Sequence, residues 1–459
     1  MTRLGLVAAI SVALAFALGI QPASPSSVAT LPSQRCAAMA KVALPGARVV
    51  ASALVAAGTF TPPVSTGLEA RFAAMPAFCR ITVDAIPTPD SRIGIEVWLP
   101  VDRWNGRFLG TGNGGSAGSI AYGMGMIEGL KRGFAVATTD MGTAPDIAAA
   151  EALPARWDDF GNRSTHEMTK AAKTLLRAFY GVRAVRSYFE GCSTGGQQAL
   201  VEAQRFPEDY DGILAGAPGN NRTHGTAYYA WTYQAVNAVP GSKMTLLQWG
   251  AVTRAILADC AGKDGGAPGD QFLTDPRRCR FDVASLPRCT KDSRADECFT
   301  QAQLAALGRL YAGAMNPRTG ERIYPGLTPG SESLPLGPVR MNDPAAGSRL
   351  FVMRWALGND FDPLRFDFDR DMDRLDARLA PTLNANKADL SPFALRGGKL
   401  LIYNGLADPG VPFADTINYY ERVLAIAGYT RGRDFARLFL VPGMGHCIGG
   451  PGATEFGQP

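Results

Sequence analysis

Histidine is scarce in this sequence: His166, His224 and His446 are the three present among 459 residues. Any reaction that needs an imidazole base must draw on one of them. Cysteine occurs eight times but never as Cys-x2-Cys or a similar close pair, which argues against a zinc centre. Charge of one sign is lacking as well. The net charge is +5 and no basic run stands out, so nucleic acid is not an expected partner. Beyond the amino terminus no apolar run approaches transmembrane length, and no stable membrane anchor is expected. What remains is the composition of an ordinary globular protein, 46% apolar and 19% charged. The length exceeds what one simple core fills, so a large domain plus a second unit is expected.

The amino terminus reads as an export signal over residues 1–29. Arg3 supplies the positive end, Leu4 to Ile20 the apolar stretch, and Ser27-Val28-Ala29 a cleavage site. A secreted or periplasmic location follows, and export permits disulfides. The even cysteine count fits such a framework. Cys36 with Cys79 would tie down the start of the mature chain. Cys260 with Cys279 and Cys289 with Cys298 are the local pairings favoured, although the spacing leaves the other two connectivities of these four open.

The most informative stretch is Gly191-Cys192-Ser193-Thr194-Gly195. It matches G-x-S-x-G, with a strand predicted over Arg186 to Phe189 and a helix over Gln197 to Arg205. In that pattern small residues permit a tight strand-to-helix turn that presents a serine hydroxyl beside the helix N-terminus. Earlier, Arg80 to Ile86 and Ile93 to Pro100 alternate as antiparallel strands. A buried strand then runs into the glycine-dense loop Gly110-Thr111-Gly112-Asn113-Gly114-Gly115, whose bare N–H groups suit the second half of an oxyanion hole. Gly133 to Asp140 and Tyr210 to Gly219 read as strands, and His166 to Tyr180 as an amphipathic helix. Such alternation predicts an α/β-hydrolase architecture, a mostly parallel sheet with helices on both faces.

From 220 to 390 the rhythm breaks, with clustered cysteines and frequent proline and glycine, so this stretch is expected to be a separate inserted unit. Residues 30–219 and 391–459 would then form the catalytic domain. The alternating charges of Asp367 to Arg374 read as a solvated face. The sheet resumes with Lys399 to Asp408, followed by a helix over Phe413 to Ala427 and a last strand, Phe435 to Val441.

A serine needs a base, and the base needs a carboxylate to fix its tautomer. Only His446 sits in a loop directly beyond a sheet strand, and Asp408 ends the strand before it. The order Ser193, Asp408, His446 is the one α/β-hydrolases use. Cys192 adjoins the serine and Cys447 the histidine, so if the two catalytic groups meet, their neighbours can reach disulfide geometry.

These residues resemble the tannase/feruloyl esterase family, which includes the hydrolase of mono(2-hydroxyethyl) terephthalate. Carrying the likeness are Trp104-Asn105-Gly106-Arg107-Phe108, Gly191 to Gly196, Gly405-Leu406-Ala407-Asp408-Pro409 and Gly445-His446-Cys447. The resemblance implies Ser193, Asp408 and His446 as the triad and Cys192–Cys447 as its bridge. It also implies 220–390 as a lid, with oxyanion donors from Thr194 and from Gly114 or Gly115. Family lids often hold a structural calcium. Here Ala261 stands where an Asp is usual and residues 265–269 look inserted, leaving Asp264, Asp270 and the carbonyl of Phe272 as the candidate ligands. Such proteins usually continue through a final helix, whereas this chain stops at Pro459, which suggests a truncated end.

The expected activity is hydrolysis of a small ester of an aromatic acid (hydroxycinnamic, gallic or related), attached or not to a polysaccharide or polyphenol, with no cofactor required for the chemistry. Trp231, Phe351 and Trp355 could cover the ring, although residues of this kind are more often core than contact. An acyltransferase using the same acyl-enzyme, and a non-catalytic binder with the same fold, are the alternatives.

Overall fold

A nine-stranded sheet carries the molecule. The computed structural model describes residues 1, 31–63, 66–144, 153–291, 296–343, 346 and 350–454; the signal expected at 1–29 falls almost wholly outside them. The strands are β1 (Ala47–Val55), β2 (Phe78–Ala85), β3 (Ile93–Pro100), β4 (Arg107–Thr111), β5 (Ala135–Thr139), β6 (Arg186–Cys192) and β7 (Gly212–Gly216). A small pair follows, β8 (Ala314–Met315) and β9 (Arg322–Tyr324), and then β10 (Lys399–Gly405) and β11 (Ala436–Val441). Their spatial order is β1-β2-β3-β5-β4-β6-β7-β10-β11. The first three pairings are antiparallel and the last five parallel. This is the α/β-hydrolase arrangement expected.

Neighbouring side chains along a strand point to opposite faces, and both faces here are apolar. Val97, Phe108 and Ala135 pack with Met168, Leu175, Leu200 and Val423. Those four come from the helices Ser164–Tyr180, Thr194–Arg205 and Phe413–Ala427. Trp98, Leu109 and Val136 turn the other way and pack with Met126, Ile127 and Leu130. Double-sided burial explains why β5 is buried along its whole length and shows no alternation.

Strand β1 goes beyond the sequence reading, which placed no strand before Arg80. Ahead of it the chain forms a short helix, Pro32–Ala38, extended by a 3-10 turn. β1 lies at the sheet edge with five of its nine residues exposed and no regular alternation, so it lacks a periodic signature. Among the described residues between Gly216 and Lys399 the chain adds no strand to the large sheet. It forms mainly helices, including Arg222–Asn237, Leu246–Cys260, Gln301–Ala312, Phe351–Leu357 and Arg370–Leu383. The charged run at 367–374 leads into the last of these, whose Met372, Leu375, Leu379 and Leu383 face inward.

All four disulfides pair as anticipated: Cys36–Cys79, Cys192–Cys447, Cys260–Cys279 and Cys289–Cys298. Among the described residues no helix is long and apolar enough to cross a membrane.

Candidate active site

Ser193 stands at the junction of β6 and the helix Thr194–Arg205, with φ 65° and ψ −117°, a backbone conformation rarely adopted by a side-chain-bearing residue. The turn is held by Ser193 N–H donating to Gly216 O (2.9 Å) and by Ser193 O accepting from Gln197 N–H and Gly219 N–H (both 3.0 Å). Glycine is required around it. A Cβ on Gly195 would lie 3.0 Å from Asn113 O, and one on Gly196 would lie 2.7 Å from Pro218 Cα. The helix begins at Thr194, three residues before the sequence pattern shows it, because the apolar periodicity starts only after the glycine pair.

Asp408 and His446 lie beyond the ends of β10 and β11. His446 Nδ1 and Asp408 Oδ2 are 2.8 Å apart. Asp408 is fully buried, and its other oxygen accepts from Gly410 N–H (2.8 Å) and Val411 N–H (2.9 Å). Asn404 lies beneath it. Thr416 Oγ1 donates to Asn404 Oδ1 (2.7 Å), while Asn404 Nδ2 donates to the carbonyl of Val411 (3.2 Å). Tyr228 and Tyr229, from the helix Arg222–Asn237, donate to the carbonyls of Pro409 (2.9 Å) and Gly410 (2.8 Å). Burial disfavours a charged ring at His446, but the charge and hydrogen bond of Asp408 outweigh it, and the pKa rises above the ordinary imidazole value.

The Cys192–Cys447 bridge joins the two halves, with Cα atoms 5.9 Å apart. It fixes the residue before Ser193 to the residue after His446. Ser193 Oγ itself makes no hydrogen bond to the ring among the described residues; in hydrolytic sites that contact commonly tightens only when substrate is bound.

An Asp partner does not by itself mark the base, because each histidine has one. His166 Nδ1 lies 2.6 Å from Asp209, with its ring stacked on Phe206, and His224 Nε2 lies 2.9 Å from Asp376. Only His446 is tied to the serine's neighbour.

The glycine loop meets the serine helix directly. Thr194 Oγ1 donates to Gly115 O (2.7 Å), and Asn113 N–H donates to Gln198 Oε1 (2.8 Å). The N–H groups of Gly114 and Gly115 have no partner among the described residues. Thr194, first in its helix, has no preceding turn to bond its N–H. Three free donors therefore lie on the two elements that the Thr194–Gly115 bond joins. The sequence pattern did not single out Arg222, whose Nη2 donates to Thr194 Oγ1 (2.9 Å), nor the tyrosine pair behind Asp408.

The three aromatic residues take the core role and not the ring-covering one. Trp355 is 1% exposed and stacks on Trp157, and Trp231 packs between Phe368 and Arg309. Trp355 is a core side chain, and Trp231 is half-buried against the same cluster. Phe351, at 8% exposure, packs edge-on to Phe160 and joins the same cluster.

The candidate calcium ligands do not fit the ion. Asp264 accepts from Gly266 N–H (3.1 Å) and Thr274 N–H (2.5 Å), and Asp270 accepts from Ala267 N–H (2.8 Å). Their oxygens serve backbone donors, whereas calcium requires six to eight oxygens converging. Among the described residues no group of three or more His, Cys, Asp or Glu side chains comes together. The Phe272 ring packs against Gly443.

Comparison with known proteins bears on this geometry. The family described as tannase and feruloyl esterase matches residues 79–457. An uncharacterized esterase of Xanthomonas campestris pv. campestris is 36% identical, over 93% of this chain and 78% of its own length. A probable feruloyl esterase B-2 of Aspergillus flavus is 31% identical over 83% of this chain and 72% of its own. Among solved structures, feruloyl esterase B from Aspergillus oryzae superposes with a TM-score of 0.81 at 28% identity, covering 93% of this chain and 87% of that one. Tannin acyl hydrolase from Aspergillus niger, at 21% identity and a TM-score of 0.72 over 93% of this chain and 84% of that one, shares the fold.

Proposed function

Since the chain belongs to the tannase and feruloyl esterase family and is a carboxylic ester hydrolase, we propose that it is an exported serine esterase acting on esters of aromatic acids. In this reading Ser193 Oγ attacks the ester carbonyl while His446 takes its proton. Asp408, bonded to the opposite ring nitrogen at 2.8 Å, holds the tautomer that leaves the other nitrogen free to accept the proton and steadies the imidazolium. Negative charge on the carbonyl oxygen is met by the N–H of Thr194 and one from Gly114 or Gly115. Return of the proton to the leaving alcohol yields an acyl-enzyme, and a water activated by the same ring releases the acid. The observation that carries this reading is the 2.8 Å contact between His446 and Asp408, on a loop bridged by Cys447 to Cys192 beside Ser193.

The names of the relatives support an aromatic acyl group, and the segment 220–390, with its tyrosines against the Asp408 loop, would form the lid over it. Four disulfides suit an oxidising compartment outside the cytoplasm. The test is Ser193→Ala assayed on feruloyl, galloyl and p-nitrophenyl esters. Turnover should fall to background and labelling by a fluorophosphonate should vanish, with the melting temperature unchanged. Retained turnover excludes the mechanism. Activity confined to aliphatic esters in the native protein excludes the substrate class and leaves the mechanism standing.

A further inference from the structure

Arg222 has no part in the steps above, yet it borders the serine. It opens the helix Arg222–Asn237, and its guanidinium lies 3.7 Å from where a Cβ on Gly219 would sit; Gly219 N–H donates to Ser193 O. Nε donates to Gln197 Oε1 (2.8 Å), Nη2 donates to the same oxygen, and Nη2 also donates to Thr194 Oγ1 (2.9 Å). The Phe160 ring centroid is 5.4 Å away. No carboxylate pairs with the half-buried Arg222 among the described residues, and desolvation lowers its pKa to about 10. Even partial withdrawal of a cation from water without a counter-ion is unfavourable. Such an arrangement persists where the charge has a task.

The task is legible in the hydroxyl it touches. Thr194 Oγ1 accepts from Arg222, so its own proton is directed to its other partner, Gly115 O, at 2.7 Å. Gln197 extends the chain the other way, its Nε2 donating to Leu383 O at the end of the helix Arg370–Leu383 (2.6 Å). One line of hydrogen bonds thus runs from Leu383 through Gln197, Arg222 and Thr194 to Gly115. It crosses both elements assigned to the oxyanion donors.

We propose that Arg222 is a positioning residue for the oxyanion hole: it orients the Thr194 hydroxyl to latch the glycine loop onto the helix that follows Ser193. This rests on the roles given to Ser193 and Thr194 in the proposed mechanism. Spacing between the two sets of N–H groups matters most when the carbonyl oxygen carries charge. Loss of the latch therefore affects the tetrahedral state more than substrate binding.

The test uses the full chain with Arg222→Met, Arg222→Ala, Thr194→Val and the double variant Arg222→Met/Thr194→Val. Arg222→Met and Thr194→Val should each lower kcat by roughly ten- to a hundredfold, with KM nearly unchanged. Affinity for an arylboronic acid, which forms a tetrahedral adduct on the serine, should fall in parallel with kcat. The double variant should be little worse than either single one, because both cut the same line of bonds. Millimolar guanidinium should restore part of the Arg222→Ala activity, which a purely structural role would not allow. Native kcat in Arg222→Met, or losses that multiply in the double variant, would overturn the proposal. Should Arg222→Met fail to fold, Thr194→Val carries the test, and native kcat there is equally fatal. Failure of the underlying mechanism is seen separately, as turnover surviving Ser193→Ala.

Discussion

At the scale of single residues, His446 is set apart by its surroundings and not by owning a carboxylate, since His166 and His224 own one too. In the proposed mechanism the ring must be neutral to accept the Ser193 proton. Asp408 raises its pKa against the opposing pull of burial, so activity should climb with pH through a limb lying above the ordinary value of about 6.5. Asp408→Asn removes the attraction and leaves burial to favour the neutral ring. The limb in kcat/KM should then move to lower pH, while kcat drops by roughly 10⁴ because the tautomer is no longer held. A pH–rate profile of the variant decides this, and an unmoved limb removes Asp408 as the ring's partner. The sequence could nominate Ser193, Asp408 and His446 because each type has defined chemistry and stands at a strand end. It could not nominate Arg222. Nothing in Asn-Asn-Arg-Thr-His separates one arginine from the 46 lysines and arginines of the chain, and its role depends on a contact to Thr194 that only folding creates.

At the scale of elements, the helix after Ser193 packs backbone to backbone against its neighbours. A Cβ at Gly196 would run into the carbonyl of Gly216 and lie 2.7 Å from Pro218 Cα, and backbone cannot swing aside as a long side chain can. Gly196→Ala should shift the helix away from β7, reducing kcat by about 10² or more and stability by roughly 1–3 kcal/mol. Gly308, in the exposed part of the helix Gln301–Ala312, meets nothing within 4 Å. Gly308→Ala should stabilise by about 0.4–1 kcal/mol with activity intact. Denaturant titration and steady-state kinetics on the pair check both signs, and equal behaviour of the two variants contradicts the packing argument. The same close packing explains what could be read at this scale. Strands announced themselves by alternation, as in Ile93–Pro100, or by an apolar run, as in Lys399–Gly405. The edge strand β1 did not, since five of its nine residues face solvent and its pairing with β2 supplies the order that its own side chains do not.

Across the whole molecule, the groups of the proposed triad come from positions far apart in the chain, with the helices of 220–390 between them. The Cys192–Cys447 bridge spans 255 residues of sequence. The chain-entropy account assigns a loop of that length about 5 kcal/mol. Cys192→Ala/Cys447→Ala should melt at lower temperature and lose kcat more than KM, because serine and histidine are then held by strand pairing through β7 and β10 and by the packing of Tyr403, Val411 and Met444, without a covalent link. Calorimetry and kinetics measure the two losses; native kcat would mean that packing alone sets the distance. The hydrolase sheet and this bridge were visible from motif order and cysteine positions. The arrangement of the helices between β7 and β10 was not, because it is fixed by contacts such as Tyr228 to Pro409 that no local pattern encodes.

The same bridge bears on backbone scission. Because the sulfur link sits beside the proposed triad and not at the margin of the fold, a protease nicking the intervening segment would leave two polypeptides still fastened to each other there. With β7 and β10 also paired across the cut, the pieces should part only when reductant and denaturant are both present.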